Sequence, residues 1–511
     1  MLLDTLGLSA FIILFIVFAI LGFYGGRFRK GEMKTLAGWG LAGRLLGPYL
    51  SWFLLGADVF TAYTFVAVPS LAFASGSTAF FAVPYVAIVF AIAMLTMPRL
   101  WRVSKKHGFV TASDFVKARF NSRTLSILLA ITGVVAILPY IALQIAGMQA
   151  VLITMLYGVA DAHLISEIAL VVSFVILAAF TFTSGLRGVT LGSVFKDILI
   201  FLTVIVVIVA VLAHYGGFGA AFAAIKAAKG AAAAKYFTLP GTSVSSFFTL
   251  FVGSALALYL YPHIINGSLS AKNPKTLRRS LSVLPIYSIG LGLLALFGVI
   301  LYAVPGAMKI VTSTGNGLLT VPALIVTTLP GWLAGICLLG IFVGGMVPAA
   351  LMAIAGANLI SRNIVREFKP KMSVQGETRL AQWLSAALKF IALGFVFIAP
   401  LTYAIQLQLL GGIIILQLLP AVFLGLYTKR LEWKSLTLGW IVGLGTGLYL
   451  VMLANHFSSL STSSFNTPYG LIYIGFISLI ANLVVSIVGS IIASWLGVFR
   501  KGLIKESELA G

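Results

Sequence analysis

GADVFTAYTFVAVPS, residues 56–70, contains Asp58, the only charged side chain between Arg44 and Arg99. Gly56 and Pro69 bracket it. A glycine lowers helix propensity, and a proline removes a backbone donor, so a helix through this stretch is expected to be interrupted beside its single carboxylate. What that means depends on whether the stretch lies in water or in lipid.

Composition settles the solvent. The 511 residues are 60% hydrophobic and 9% charged, against about 45–50% and about 25% in soluble domains. Apolar runs near 20 residues recur along the whole length, each long enough to cross a hydrocarbon core about 30 Å thick as a helix. Thirteen spans are expected, at about 7–26, 48–70, 78–100, 124–156, 163–184, 192–214, 244–266, 281–304, 331–361, 380–399, 402–427, 436–453 and 470–497.

The net charge of +22 raises the possibility of nucleic acid as a partner, but the location of the 34 Lys and Arg residues excludes it. With the N-terminus outside, the outer loops hold only Lys226, Lys229, Lys235 and Lys309. Lys389 lies deep within a span, and the remaining basic residues fall on the opposite side. The positive-inside rule then gives an N-outside, C-inside orientation in a cell (inner) membrane. The clusters RFRKGEMK (27–34), RVSKKH (102–107) and KNPKTLRR (272–279) read as inner-face anchors for anionic lipid. Cys337 is the single cysteine and the five histidines lack ligand spacing, so no disulfide or metal cluster is expected. The first apolar run has its basic residues after it, which reads as a retained helix and not a cleaved signal.

Asp58 lies in span two, within LLGAD (54–58). Five spans later, GSALALYLYPH (253–263) carries Gly253 and Pro262 in another interrupted helix. That separation predicts an all-α polytopic membrane protein with a 5+5 inverted-repeat, LeuT-type core, each repeat opening with a discontinuous helix. Residues 1–511 are expected to form one integral membrane transporter domain. It comprises an extra helix at 7–26, repeats at 48–215 and 244–427, and two C-terminal helices within 436–497. Outside the spans, AAFAAIKAAKGAAAAKYF (220–237) reads as a frayed or interfacial helix. TVPALIVTTLP (320–330) reads as a lid helix or the start of the next span.

A carboxylate at mid-span costs several kcal/mol unless it meets a cavity, a cation or a partner. Asp58 is therefore a candidate coupling residue for a cation or proton; its alternative is a cap for the broken helix. Thr61, Tyr63 and Thr64 place hydroxyls beside exposed N–H groups that would attract a substrate carboxylate, or they make ordinary interhelical bonds. Tyr140 and Gln144 follow Pro139 and line a solute cavity or bond between helices. Asp197, next to Lys196, reads as a local ion pair or a second acidic station. Glu167 reads as solvated, and Lys389 either pairs with a buried acid or snorkels. There is no nucleophile elbow, P-loop, HExxH or dinucleotide fingerprint, so no enzyme is expected.

Together, residues 39–70, FFAVPY (80–85), PYIALQIAGM (139–148), SGLRG with FKDIL (184–199), YPHIING (261–267), GGMVPAALMAIAGANLISRNI (344–364) and LQLLGGIIILQLLPAVFLGLYTKR (407–430) resemble the solute:sodium symporter family, nearest its monocarboxylate permease branch. The resemblance implies symport of a small organic solute such as lactate, pyruvate, propionate or acetate, with no cofactor beyond a coupling ion, Na+ or H+. Amino-acid or sugar symport is the alternative within the fold, and a channel or sensor the alternative outside it. The resemblance further implies a sodium site at Gly56 and Val59 carbonyls, beside Asp58, with Gly344, Val347 and Pro348. The family has hydroxyls where this chain has Val347 and Pro348, whereas a proton requires only a carboxylate. Gly253, Ser254 and Tyr259, at the second break, complete the implied solute site. The sequence leaves the oligomeric state unassigned.

Overall fold

Both interruptions expected from glycine and proline are present. The first helix runs over Pro48–Gly56 and gives way to turns through residues 57–61. It resumes as a wide π-helical turn at Tyr63–Ala67 and a regular helix at Val68–Ser75. Pro69, which lacks an N–H, follows the wide turn directly. The second helix, Val244–Leu260, breaks at Tyr261 (ψ 134°) and restarts at Pro262–Leu269. Proline suits that first helical position, where its missing donor would be unpaired anyway.

The computed structural model describes residues 3–27, 33–398, 404–498, 502–504 and 506–509. Residues 28–32 of the first basic cluster, and 399–403 where two expected spans meet, lie outside the described residues. Among the described residues, eleven helical stretches are long and apolar enough to cross a bilayer. Two of them exceed one crossing. Ala162–Tyr215 would extend about 80 Å at the helical rise, and it turns at Gly185 (φ 54°, ψ −145°). Tyr63–His107 turns at Gly76 (φ 70°). Helix lengths alone give eleven, and thirteen crossings rest on dividing these two.

The Gly331–Leu359 helix forms the centre, buried along almost its full length. It packs against Thr5–Tyr24, Arg123–Met155, Ala162–Tyr215 and Val374–Ile398. Small residues such as Gly344, Gly345 and Ala349 let those backbones approach closely, as packing between helices in lipid requires. Ile13, Ile16 and Ile20 of the first helix remain exposed, as expected of a lipid-facing surface. Trp433–Ala454 and Ile474–Trp495 pair with each other, joined through a short antiparallel hairpin of Ser464–Thr467 and Gly470–Tyr473.

The two broken helices meet end to end. Leu46, just before the first, pairs with Ala271, just after the second, through Leu46 N–H to Ser270 O (3.2 Å) and Lys272 N–H to Leu46 O (2.9 Å). The start of one therefore adjoins the finish of the other. The same face gathers the basic segments: Trp101 Nε1 donates to Ala271 O (2.9 Å), and Glu508 pairs with Lys106 (2.5 Å) and His107 (3.0 Å). Glu377 accepts from Arg362 (3.2 Å) and from Arg366, while Lys117 pairs with Glu367. Arg44 donates to Phe109 O; burial lowers its guanidinium pKa to about 10, against the pull of Asp114.

On the opposite face the alanine-rich stretch is not frayed. Gly217–Lys229 is helical, and the following Tyr236 hydroxyl donates to Phe73 O (2.9 Å) and meets the Tyr302 hydroxyl at 3.1 Å. Thr320–Thr328 is a separate short helix, divided from Gly331–Leu359 by extended backbone at Leu329 and Pro330.

Candidate functional site

The unwound residues 57–61 expose backbone groups in the protein interior, where each needs a partner. One is Gln144, whose side-chain oxygen accepts the Ala62 N–H at 2.9 Å, while its amide nitrogen donates to Tyr140 O at 3.4 Å. Of the two readings of Gln144, the structure shows the interhelical bond, made to the break itself. The Thr61 hydroxyl accepts the Tyr63 N–H (3.2 Å), and the Thr64 hydroxyl donates to Val59 O. Both hydroxyls thus stabilise the turn locally.

Asp58 is 1% exposed, and neither carboxylate oxygen has a hydrogen-bond partner among the described residues. The charged groups that act on it are Lys196 and Asp197. These two form an ion pair at 2.9 Å with no exposure at all. The Lys196 ammonium also donates to Ala57 O (3.0 Å) and Phe60 O (2.6 Å), the carbonyls of the unwound stretch. Asp197 accepts from the Tyr287 hydroxyl at 2.8 Å. Tyr287 lies directly over Gly56, where a side chain would collide with its ring, and packs edge-on to Phe60 at 4.7 Å. Asp197 therefore sits beside the break, and of its two readings the ion pair is present.

Gly344, Val347 and Pro348 are buried in the central helix. A Cβ on Gly192 would lie 3.5 Å from Val347, and one on Gly344 would lie 3.3 Å from Ile200. Residues 192, 196 and 200 share one helical face by their spacing. Lys196 thus projects from the face that meets Val347 and Gly344, onto the carbonyls of Ala57 and Phe60, each one residue beyond the Gly56 and Val59 carbonyls expected to hold sodium. Val347 and Pro348 offer no side-chain oxygen, and the nearby carbonyls of Ala57 and Phe60 already accept from Lys196. The residues present do not fit sodium at this position.

A second polar group surrounds the other break. Tyr140 meets Tyr261 at 5.1 Å and His263 at 5.5 Å between ring centres. Asp58, Tyr63 and Tyr85 lie within electrostatic reach of Tyr140. Both His263 nitrogens and the Tyr261 hydroxyl have no hydrogen-bond partner among the described residues. Tyr63 is buried with Tyr85 at 6.5 Å. Gly253 faces Tyr473, whose hydroxyl donates to Leu409 O at 2.6 Å, and Ser254 is buried beside it. Tyr259 turns instead to Phe423 at 5.8 Å, away from the tyrosines around Tyr140. Lys389 donates to Thr181 Oγ1 (2.8 Å) and Ser385 Oγ (3.0 Å), so it is held by hydroxyls.

Sequence reading had not singled out Lys196, Tyr261, His263, Tyr287 or Tyr473 as site residues. A lysine inside the expected span 192–214 was a signal available for the first. The YPH sequence at the second break was one for Tyr261 and His263. Nothing local marked Tyr287 or Tyr473.

The profile of the Sodium:solute symporter family matches residues 39–443. A "Monocarboxylate transport permease protein" of Rhizobium johnstonii is 38% identical, with 94% of this chain and 96% of that protein covered. The "Uncharacterized symporter YodF" of Bacillus subtilis is 31% identical, with 86% of each covered. A solved structure, the substrate-bound outward-open state of a Na+-coupled sialic acid symporter, superposes with a TM-score of 0.72 at 14% identity, covering 96% of this chain and 98% of that one. At that identity the likeness is one of fold, and the fold is the inverted-repeat, LeuT-type class.

Proposed function

The chain belongs to the sodium:solute symporter family, and on that premise we propose that it couples inward movement of a cation to uptake of a small monocarboxylate. It is a multi-pass membrane transporter, not an enzyme. The observation that carries the coupling reading is Asp58, a carboxylate without a hydrogen-bond partner, buried where the first helix unwinds. A group so placed is costly unless a positive passenger meets it during the cycle.

The monocarboxylate reading is supported by the name of the relative at 38% identity and by the chemistry at the breaks. At the second break Tyr140, Tyr261 and His263 bring two phenols and an imidazole together, with the Tyr261 hydroxyl and both His263 nitrogens lacking a partner among the described residues, which suits a short organic acid. Tyr63 and Ser254, both buried, are the remaining candidates to meet the solute, with Gln144 holding the break in shape. Alternating access would follow from rocking one helix bundle against the rest. In the cell membrane the basic face would be cytoplasmic, which places the N-terminus outside.

Uptake of labelled lactate and propionate into proteoliposomes, with sodium and pH gradients imposed separately, tests this reading. Gradient-driven accumulation of at least one of them is expected. Accumulation of an amino acid or a sugar with no response to any monocarboxylate would replace the substrate assignment.

A further inference from the structure

The feature that the symport reading leaves unexplained is a buried ammonium held by the broken helix. We propose that Lys196 is a tethered cation occupying the position between the first broken helix and Gly331–Leu359 where sodium would sit, so that transport requires no sodium there. This rests on the symporter reading above, and concerns which cation fills that position.

An ammonium carries three N–H donors and no acceptor. Two are donated to carbonyls, Ala57 O at 3.0 Å and Phe60 O at 2.6 Å, and Asp197 Oδ1 stands at ion-pair distance, 2.9 Å. Two carbonyls from unwound backbone and one carboxylate form an oxygen cage of the kind that holds a small cation, and here a side chain fills it. The lysine reaches that cage from the face of its own helix bounded by Gly192 and Ile200, which abut Val347 and Gly344. Tyr287 fixes the carboxylate from the far side through its 2.8 Å bond to Asp197. A sodium ion entering would have to displace a covalently attached charge, and would then face that charge in a medium of low dielectric. The side chains of Val347 and Pro348 could not offset this, having no oxygen to offer. Asp58, whose oxygens accept nothing from the described residues, is outside the cage and keeps the coupling role proposed above, with a proton as its passenger.

A structural ion pair would explain the Lys196–Asp197 contact alone. It would not by itself explain why the ammonium also satisfies both carbonyls at the break.

The test uses the purified full-length protein. Initial rates of labelled lactate or propionate uptake, driven by an imposed solute gradient, are compared in sodium and choline media of equal ionic strength. The expected ratio is about one, since an ion with no differential interaction shifts no equilibrium. A saturable sodium stimulation of about tenfold or more overturns the proposal. The melting temperature is measured in the same two media. No sodium-specific rise supports the proposal, whereas a saturable rise overturns it. That measurement stands even if no monocarboxylate is carried, an outcome that would sink the substrate reading and leave this one testable.

Lys196→Ala frees Ala57 O, Phe60 O and Asp197, and is expected to gain a sodium-specific rise in melting temperature. Lys196→Arg should stay indifferent to sodium like the wild type. An indifferent Lys196→Ala that folds overturns the assignment to Lys196. If that variant does not fold, the wild-type comparison alone decides.

Discussion

The side-chain oxygen of Gln144 accepts the backbone N–H of Ala62 at 2.9 Å, across 82 residues of sequence. It ties the Arg123–Met155 helix to the point where the first broken helix resumes. Gln144→Leu removes the acceptor and leaves a buried N–H unpaired, a loss of about 1–3 kcal/mol. The variant is expected to melt at lower temperature and to transport with a raised KM. Unchanged values of both would show that the break is held without it.

Asp58→Asn keeps the size of the side chain and removes its charge. It is expected to fold and to exchange labelled solute across vesicles at equal concentration, while losing accumulation against a gradient. Full accumulation by this variant would remove the coupling role.

Glu377 is 2% exposed in its side chain and holds Arg362 and Arg366, which are 25% and 32% exposed. Glu377→Gln costs about 1–3 kcal/mol, less than a fully buried pair because both guanidiniums are partly solvated. Loosening of the basic face is the expected result. A cysteine placed at Leu129, which lines the cavity with Pro262 and Asn266, should then react faster with a thiol reagent added from that side. The one native cysteine, Cys337, is buried and gives a low background. Equal labelling rates would show that this network does not close the face.

Gly185 turns Ala162–Tyr215 at φ 54° and ψ −145°, backbone values that a residue with a Cβ reaches only at a cost of about 1–3 kcal/mol. A Cβ there would also run into the Trp39 carbonyl. Gly185→Ala should lower folded yield and melting temperature; a variant as stable as the wild type would mean the helix need not turn.

Lys389 is buried on two hydroxyls, Thr181 and Ser385, with no carboxylate bonded to it among the described residues. Replacing such a charge with an apolar group of similar volume is often neutral or stabilising. Lys389→Met is expected to retain uptake and to melt at the same temperature or higher. Loss of uptake with the fold intact would assign Lys389 a part in transport.

The membrane class, the basic face and both helix breaks could be read from the chain, because each follows from local chemistry. Apolar runs set the spans, Lys and Arg bias set the faces, and Gly56, Pro69 and Pro262 interrupt helices wherever those helices pack. The importance of Asp58 was equally local, as a lone charge in an apolar run. What faces the break was not local. Lys196 reaches Ala57 across 139 residues, and Tyr287 reaches Asp197 across 90. Thr61 and Thr64 read equally as solute-lining hydroxyls or as bonds between helices, and the turn uses both locally. Partners so far apart in sequence are chosen by helix packing, which depends on the summed shape of many side chains. Tertiary structure alone therefore decided that a lysine reaches the carbonyls of the unwound helix.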